Sequence, residues 1–301
     1  MKNVITVFVF FLAISVAQGQ DYLDILKYSY NKATLGNIDE ANEDETDVSN
    51  TNIEAYFPFP VSGTTTIIGG FTYENTRLGL QFNDDDRTNL IMTRLNFGIK
   101  QEHGNRWSGT YVVLPKFASD FAENLGDRDF QIGGLALLEK RYSSSYSLKF
   151  GTYVSSEEFG TTLTPLVGLW YKSDNDKFYI NATLPIRTDI NYSLTDKLSV
   201  GANILTSVKA YNLTQDNADQ YVQEESIRFG LFGAYGFLDN TLIVRGKVGF
   251  DTTDYGLYNT GDTIGVQVLT FQVNGDDRNR LNSEFDSSLF FGIDLIFRGD
   301  L

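Results

Sequence analysis

The sequence predicts an all-β chain, a transmembrane antiparallel up-and-down β-barrel of about 14 strands (12–16) behind a cleaved signal peptide. Three observations point there. An apolar run opens the chain and nothing like it recurs. Apolar and polar residues then alternate with a period of two, the spacing of a strand with two unlike faces. The connections switch between short polar turns and longer acidic loops. Composition agrees: 27 Gly, 23 Phe and 17 Tyr against 5 Pro suit sheet rather than helix. The mean hydropathy of -0.21 is that of a soluble protein, but an average conceals alternation.

The opening segment reads as an export signal. Met1 and Lys2 give a basic start, Val4 to Val16 is almost wholly apolar, and Ala17-Gln18-Gly19 places small residues where a signal peptidase reads. Cleavage is expected after Gly19. Residues 1–19 are then the signal peptide and 20–301 the barrel. The run is too short and one-sided for a spanning helix. The absence of Cys excludes a bacterial lipid anchor at the cut. Downstream, no segment reaches the ~18 apolar residues a membrane helix needs.

The alternation can be followed strand by strand. Ile53, Ala55, Phe57 and Phe59 oppose Glu54 and Tyr56. Ile91, Leu95, Phe97 and Ile99 oppose Arg94, Asn96, Gly98 and Lys100. Ile186, Ile190, Tyr192 and Leu194 alternate with Arg187, Asp189, Asn191 and Ser193. Leu198, Val200, Ala202, Ile204 and Val208 oppose Ser199, Gly201, Asn203, Ser207 and Lys209, with Leu205 out of pattern. Ile227, Phe229, Leu231, Tyr235 and Phe237 oppose Arg228, Gly230, Ala234 and Gly236. Leu242, Val244, Val248 and Phe250 oppose Arg245, Lys247 and Gly249. Phe285, Leu289, Phe291, Ile293, Leu295 and Phe297 oppose Asp286, Ser288, Gly292 and Asp294.

Strands are expected near 24–35, 51–59, 64–82, 88–101, 106–115, 129–140, 145–155, 163–172, 177–184, 186–194, 197–209, 225–236, 241–251 and 285–297. The span 64–82 is long and polar at Glu74-Asn75-Thr76, and Leu184-Pro185 must form a tight turn. Short turns are expected at 60–63, 102–105, 141–145, 173–176, 195–197 and 238–240. Longer acidic loops are expected at 36–50, 83–87, 118–127, 156–162, 212–224 and 251–283.

A soluble sandwich also alternates, so two further features decide for lipid. The polar face carries Gly, Asn, Arg, Lys and Asp in nearly every strand, which suits a crowded barrel interior. The loops alternate in length as in a barrel with short periplasmic turns and long outer loops. Closure also pairs every backbone group, which lipid would leave unsatisfied. Tyr28, Tyr30, Phe57, Phe59, Tyr73, Trp107, Tyr171, Phe178, Tyr192, Tyr235, Phe237 and Phe297 sit near strand ends, where aromatic girdles form. Arg298-Gly299-Asp300-Leu301 trails behind the last aromatic residue.

The segment from Leu184-Pro185-Ile186 through Asp189-Ile190-Asn191-Tyr192-Ser193-Leu194-Thr195-Asp196-Lys197-Leu198-Ser199-Val200-Gly201 resembles the strand–turn–strand of Gram-negative outer-membrane barrels. With Phe150-Gly151-Thr152-Tyr153 and Pro165-Leu166-Val167-Gly168-Leu169, it is similar to an uncharacterised, porin-like family described as a domain of unknown function. That resemblance implies an outer-membrane location and transfers no catalytic residue.

Several functions are excluded or disfavoured. A formal charge of -15 argues against nucleic acid. Without Cys there are no thiolate metal sites or thiol nucleophiles, and one His allows no His-rich site. That residue, His103, lies in a short polar turn and reads as solvated rather than catalytic. Gly69-Gly70 and Gly133-Gly134 lie within strands and do not match phosphate-binding loops. The acidic run Asp39, Glu40, Glu43, Asp44, Glu45 and Asp47 lacks the EF-hand order and reads as a hydrated loop; Asn83-Asp86 and Asn274-Asp277 read likewise.

The polar face supplies the candidate site. Arg94, Lys149, Arg187, Asp189, Arg228, Arg245, Lys247 and Asp294 are expected to face the lumen. They could set solute preference in a water-filled tube, or pair and plug it. The expected function is a porin-like channel or small-solute barrel without catalysis, cofactor or metal. Its expected partners are outer-membrane lipid, small solutes and the barrel-insertion machinery. A structural or adhesive surface barrel is the alternative.

Overall fold

The computed structural model describes residues 22–38, 44–82, 87–215, 219–269, 271–273 and 275–300. The expected signal peptide at residues 1–19, residues 39–43, and Asn83 to Asp86 lie outside the described residues. So does Asn274.

Alternation is realised as one closed sheet. Thirteen strands follow in chain order: β1 Tyr22–Gly36, β2 Glu45–Ser62, β3 Thr65–Leu78, β4 Thr88–Gly104, β5 Trp107–Ser119, β6 Phe130–Arg141, β7 Tyr146–Glu157, β8 Gly160–Lys172, β9 Phe178–Leu184, β10 Arg187–Ser193, β11 Leu198–Leu213, β12 Gln220–Phe237 and β13 Leu242–Asp251. Three short strands come next: β14 Asp254–Asn259, β15 Gly265–Val268 and β16 Phe271–Gln272. The last is β17 Ser288–Asp300. Each of β1 to β12 pairs antiparallel with its successor, β13 pairs with β17, and β17 pairs with β1. The wall is therefore a closed 14-strand barrel. No backbone edge remains along the paired belt, as hydrocarbon demands.

The two faces follow from the register. Along β13, β17 and β1, Val244, Leu295 and Tyr28 align on one face, and Arg245, Asp294 and Ser29 align on the other. The first face is the exterior. Leu231, Val248 and Phe291 lie side by side there at 64%, 42% and 64% exposure. On the second face Arg245 and Asp294 are buried. A slip of one residue would reverse every such pair, which is what holds the register. Phe57, Phe59, Phe97, Tyr171, Tyr192, Tyr235, Phe237 and Phe297 are among the exposed rings of the exterior.

Interior glycines make room for rings laid against the wall. A Cβ on Gly249 would stand 2.0 Å from the Phe229 carbonyl oxygen and 2.6 Å from the Phe290 ring. A Cβ on Gly201 would stand 2.4 Å from the Phe232 ring. Both phenylalanines are buried inside the tube.

The expected boundaries need correction in several places: the loop expected at 36–50 holds the start of β2, and that expected at 251–283 holds β14, β15 and β16. The loop expected at 156–162 is a tight turn at 158–159, because Glu157 is a strand residue that pairs inward with Lys116. The loop expected at 212–224 is shorter, because β11 and β12 continue to Leu213 and from Gln220. The last strand starts at Ser288, not at Phe285, which makes a single bridge to Asn37. It also runs through Arg298 and Gly299 to Asp300, so the residues after Phe297 belong to the wall.

The barrel is asymmetric at its long-loop end. β9 and β10 are short and joined through the cis Leu184–Pro185 bond. β9 covers β8 only from Val167 to Lys172. Above that level, β15 lies parallel to β8 from Gly160 to Leu163. β11 loses its β10 partner after Leu205 and crosses the mouth, where Asn212 bridges to Ser119 of β5. The upper parts of β11 and β12, with β14 beside β12, form a three-stranded lid. Tyr211, Leu213, Val222, Tyr255 and Leu257 of this lid pack with Ala33, Leu35, Val48, Leu78, Leu90 and Met92 of the wall. On its other side Ala210 and Tyr221 pack with Phe159 and Ile264. Burial of two apolar faces is what holds the lid in the mouth.

Candidate functional site

The polar face of the sheet converges on the barrel axis, so its charges meet across the tube. Arg187 of β10 reaches Glu54 of β2 at 3.4 Å. These strands are not neighbours in the wall, so the pair spans the interior. Arg187 keeps 43% side-chain exposure, which leaves open space around it. Arg245 pairs with Asp189 at 3.0 Å, and Tyr179 also donates to Asp189. Lys247 pairs with Asp294 at 2.6 Å, and Lys27 approaches the same carboxylate at 3.7 Å. Arg228 pairs with Asp251 at 2.8 Å on the adjacent strand. Arg94 donates to the Thr72 hydroxyl, and Lys149 donates to Asn181 Oδ1 at 2.7 Å.

Of the eight residues singled out in the sequence, Arg245 and Asp189 therefore meet, as do Lys247 and Asp294. Arg94, Lys149, Arg187 and Arg228 have partners outside that set. Most of these groups stand beside an opposite charge. Each buried charge retains an opposite charge or a hydrogen bond, without which burial would be costly.

A second layer, at the long-loop end, was not anticipated as a site. Lys209 on the lid pairs with Glu74 of β3 at 2.6 Å and with Glu224 at 3.3 Å. Asn50 also donates to Glu74, and Tyr211 donates to Glu224. Lys116 pairs with Glu157 at 2.6 Å, and Glu157 accepts the backbone N–H of Ala210. These contacts tie the lid to β3, β5 and β7. The polarity of Glu74-Asn75-Thr76 was the available signal: a polar patch inside an otherwise regular strand faces a polar partner. The loop residue Asp120 adds a clasp outside the wall. It accepts the N–H groups of Thr214 and Gln215 at 2.9 Å each and the Thr214 hydroxyl at 2.6 Å. Burial pushes its carboxyl up, but these bonds and that from Ala122 outweigh it and hold the group below its ordinary value.

The short-turn end is different. A cavity of about 320 Å³ opens inside the wall there. Tyr22, Trp170 and Tyr179 form one side of it. Their rings pack as neighbours, with centroids 5.8 Å apart for Tyr22–Tyr179 and 5.5 Å for Trp170–Tyr179. Arg245 and Arg298 also line the cavity. The Arg298 guanidinium lies 3.6 Å from the centre of the Tyr22 ring and pairs with Asp24. His103 does not line this cavity; it is exposed and within 3.1 Å of the Tyr111 hydroxyl. Among the described residues no group of three or more His, Asp or Glu is placed to hold a metal ion.

No family model matches the chain, and no curated protein matches it. Solved structures do resemble it, and they are outer-membrane β-barrels. An outer-membrane channel from Pseudomonas putida F1 aligns over 91% of this chain and 93% of its own, at 10% identity and a TM-score of 0.45. The Pseudomonas putida toluene transporter TodX aligns over 91% and 90%, at 11% identity and a TM-score of 0.33. The translocator domain of the autotransporter NalP from Neisseria meningitidis aligns over 92% and 89%, at 10% identity and a TM-score of 0.35. At these values the likeness assigns no role to this chain, and its architecture rests on its own ladder of strand pairs.

Proposed function

We propose that the chain is an outer-membrane channel barrel that passes or binds small solutes and performs no chemistry. One observation carries this reading. The wall is closed and apolar outside, while its polar interior holds a cavity at the short-turn end and closes at the other end by a folded-in sheet rather than by a separate domain. A wall of this size is wider than the eight-strand barrel that side chains fill alone. The lumenal charges, from Arg187–Glu54 to Lys247–Asp294, then act as a polar screen along the route. The paired state of these groups and the single His103, which does not line the cavity, support a non-catalytic role.

Reconstitution in planar bilayers tests the proposal. Discrete conductance steps, enlarged when the lid is loosened by Lys209→Met, are the expected result. A chain that inserts but conducts in neither form would contradict it. The sealed long-loop mouth favours the second reading, a structural surface barrel, and silence of both forms would select it.

A further inference from the structure

We infer that the cavity at the short-turn mouth binds a small aromatic carboxylate, with the ring against Tyr22, Trp170 and Tyr179 and the carboxylate toward Arg245 and Arg298. This names a solute class for the barrel and rests on the solute-barrel reading for its biological setting.

Size is the first argument. About 320 Å³ lies at the lower end of ligand pockets, roughly 300–1,000 Å³, so the occupant is small. The wall chemistry is the second. Three aromatic rings gathered on one side of a cavity favour a planar ring, which they meet offset or edge-on. Charge is the third. The lining contains the cations Arg245, Arg298, Lys172 and Lys197 against the carboxylates Asp176, Asp196 and Asp239. Asp24 and Asp189, which pair with the two arginines, lie outside that lining. Counted with Asp24 and Asp189, and with Lys172 paired to Asp176, the charges nearly balance, so an anion is received by the guanidinium N–H groups rather than by net charge.

Unspent donors are the fourth argument. Trp170 is 3% exposed and Arg245 is 4% exposed, yet the indole Nε1–H and the guanidinium Nε–H have no protein acceptor. Buried donors of this kind normally find a partner. Both residues sit in the wall of the same cavity. Neighbouring atoms cover the two N–H groups, so a side-chain rotation must accompany binding. A carboxylate brings two acceptor oxygens and a charge to them. A neutral arene would leave both donors unpaired, and an aliphatic acid would leave the rings uncovered.

The chain contains two tryptophans, Trp107 and Trp170. Trp107 lies at the start of β5 and outside the cavity, with Lys140 over its ring. The Trp107→Phe variant therefore makes Trp170 the sole reporter. The full chain in detergent micelles is titrated with sodium benzoate, benzyl alcohol and sodium acetate at constant ionic strength. The expected result is a saturable change in Trp170 emission with benzoate, at an affinity about ten-fold or more above either control, the worth of one charge-assisted hydrogen bond. Lys197→Gln, in an exposed turn, weakens benzoate by about two- to five-fold and leaves benzyl alcohol unchanged. Absence of a saturable response, or equal affinity for benzyl alcohol, would overturn the inference. Potassium chloride conductance of the same preparation separates the two readings. Conductance without a Trp170 response removes the site and keeps the channel; a response without conductance removes the channel and keeps the site.

Discussion

Lys209 and Glu74 meet at 2.6 Å although they belong to β11 and β3, which are not neighbours in the wall. The contact exists because β11 leaves the wall after Leu205 and carries Lys209 across the mouth. One lysine thereby pairs with two buried carboxylates, Glu74 and Glu224. The charge triad fixes the lid's position beside the apolar cluster around Tyr211.

Removal of the lysine should cost more than removal of either acid. Lys209→Met leaves two buried carboxylates facing one another, a loss of about 3–5 kcal/mol to the closed lid. Glu74→Gln leaves Lys209 paired with Glu224 and should cost less. Single-channel recording checks the order: open probability should rise most in Lys209→Met and only modestly in Glu74→Gln. The wall itself, measured by resistance to unfolding in detergent, should change little in both.

Asp120 should make the outer end acid-sensitive. Its carboxyl is held below the ordinary value by bonds from Thr214, Gln215 and Ala122, which outweigh burial. A group with a depressed folded-state value contributes stability above its ordinary value and loses it as pH falls through the folded one. Protection of the Thr214 and Gln215 amides, their exchange relative to the intrinsic rate at the same pH, should therefore be high near neutrality and fall in acid. Asp120→Asn should show low protection throughout and lose most of that pH dependence.

Two glycines of β13 should respond oppositely to alanine. Gly246 has open space where a Cβ would go, whereas Gly249 is pressed on the Phe229 backbone and the Phe290 ring. Gly246→Ala should be close to neutral. Gly249→Ala should destabilise by about 1–3 kcal/mol through overpacking. Unfolding of the two variants in urea, followed by tryptophan emission, gives the comparison.

Gly160 should control the docking of β15. It has φ +135°, and a Cβ there would stand 2.3 Å from the Gly265 carbonyl oxygen. Gly160→Val should release the parallel pairing of Gly265 to Val268 with β8. Faster hydrogen exchange at the Val266 and Leu269 amides, with the belt still protected, is the expected outcome.

Much of the wall was legible because a period of two survives in single strands. Arg245, Lys247 and Asp294 share one face by parity alone, and in the register Arg245 stands opposite Asp294 with Lys247 two residues on. Leu205 broke the pattern for a structural reason. It sits between Arg187 and Arg228 at the level where β11 leaves its neighbour. The lid was not legible. Val208, Lys209 and Ala210 still alternate, and Tyr211, an apolar ring on the parity of Lys209, marks the departure no more plainly than Leu205 does. The turn at 158–159 was hidden by Glu157 and Glu158, acidic residues that read as loop until Lys116 is brought beside the first from a distant strand. The aromatic side of the cavity was equally hidden. Tyr22 precedes the first expected strand, Trp170 was not singled out, and only closure of the sheet sets them beside Tyr179.

The central claim is that one face of this sheet meets hydrocarbon while the other encloses an aqueous tube. The chain has no native Cys, so single cysteines report position without interference. Val200→Cys, Leu231→Cys and Val248→Cys lie on the exterior belt, and Ser199→Cys lines the cavity at the short-turn mouth. With the barrel in lipid bilayers, a water-soluble thiol reagent should modify Ser199→Cys quickly and spare the other three, whose attached fluorophores brominated lipid should quench. Equal modification of Val200→Cys and Ser199→Cys, with no lipid quenching on the exterior set, would contradict the account.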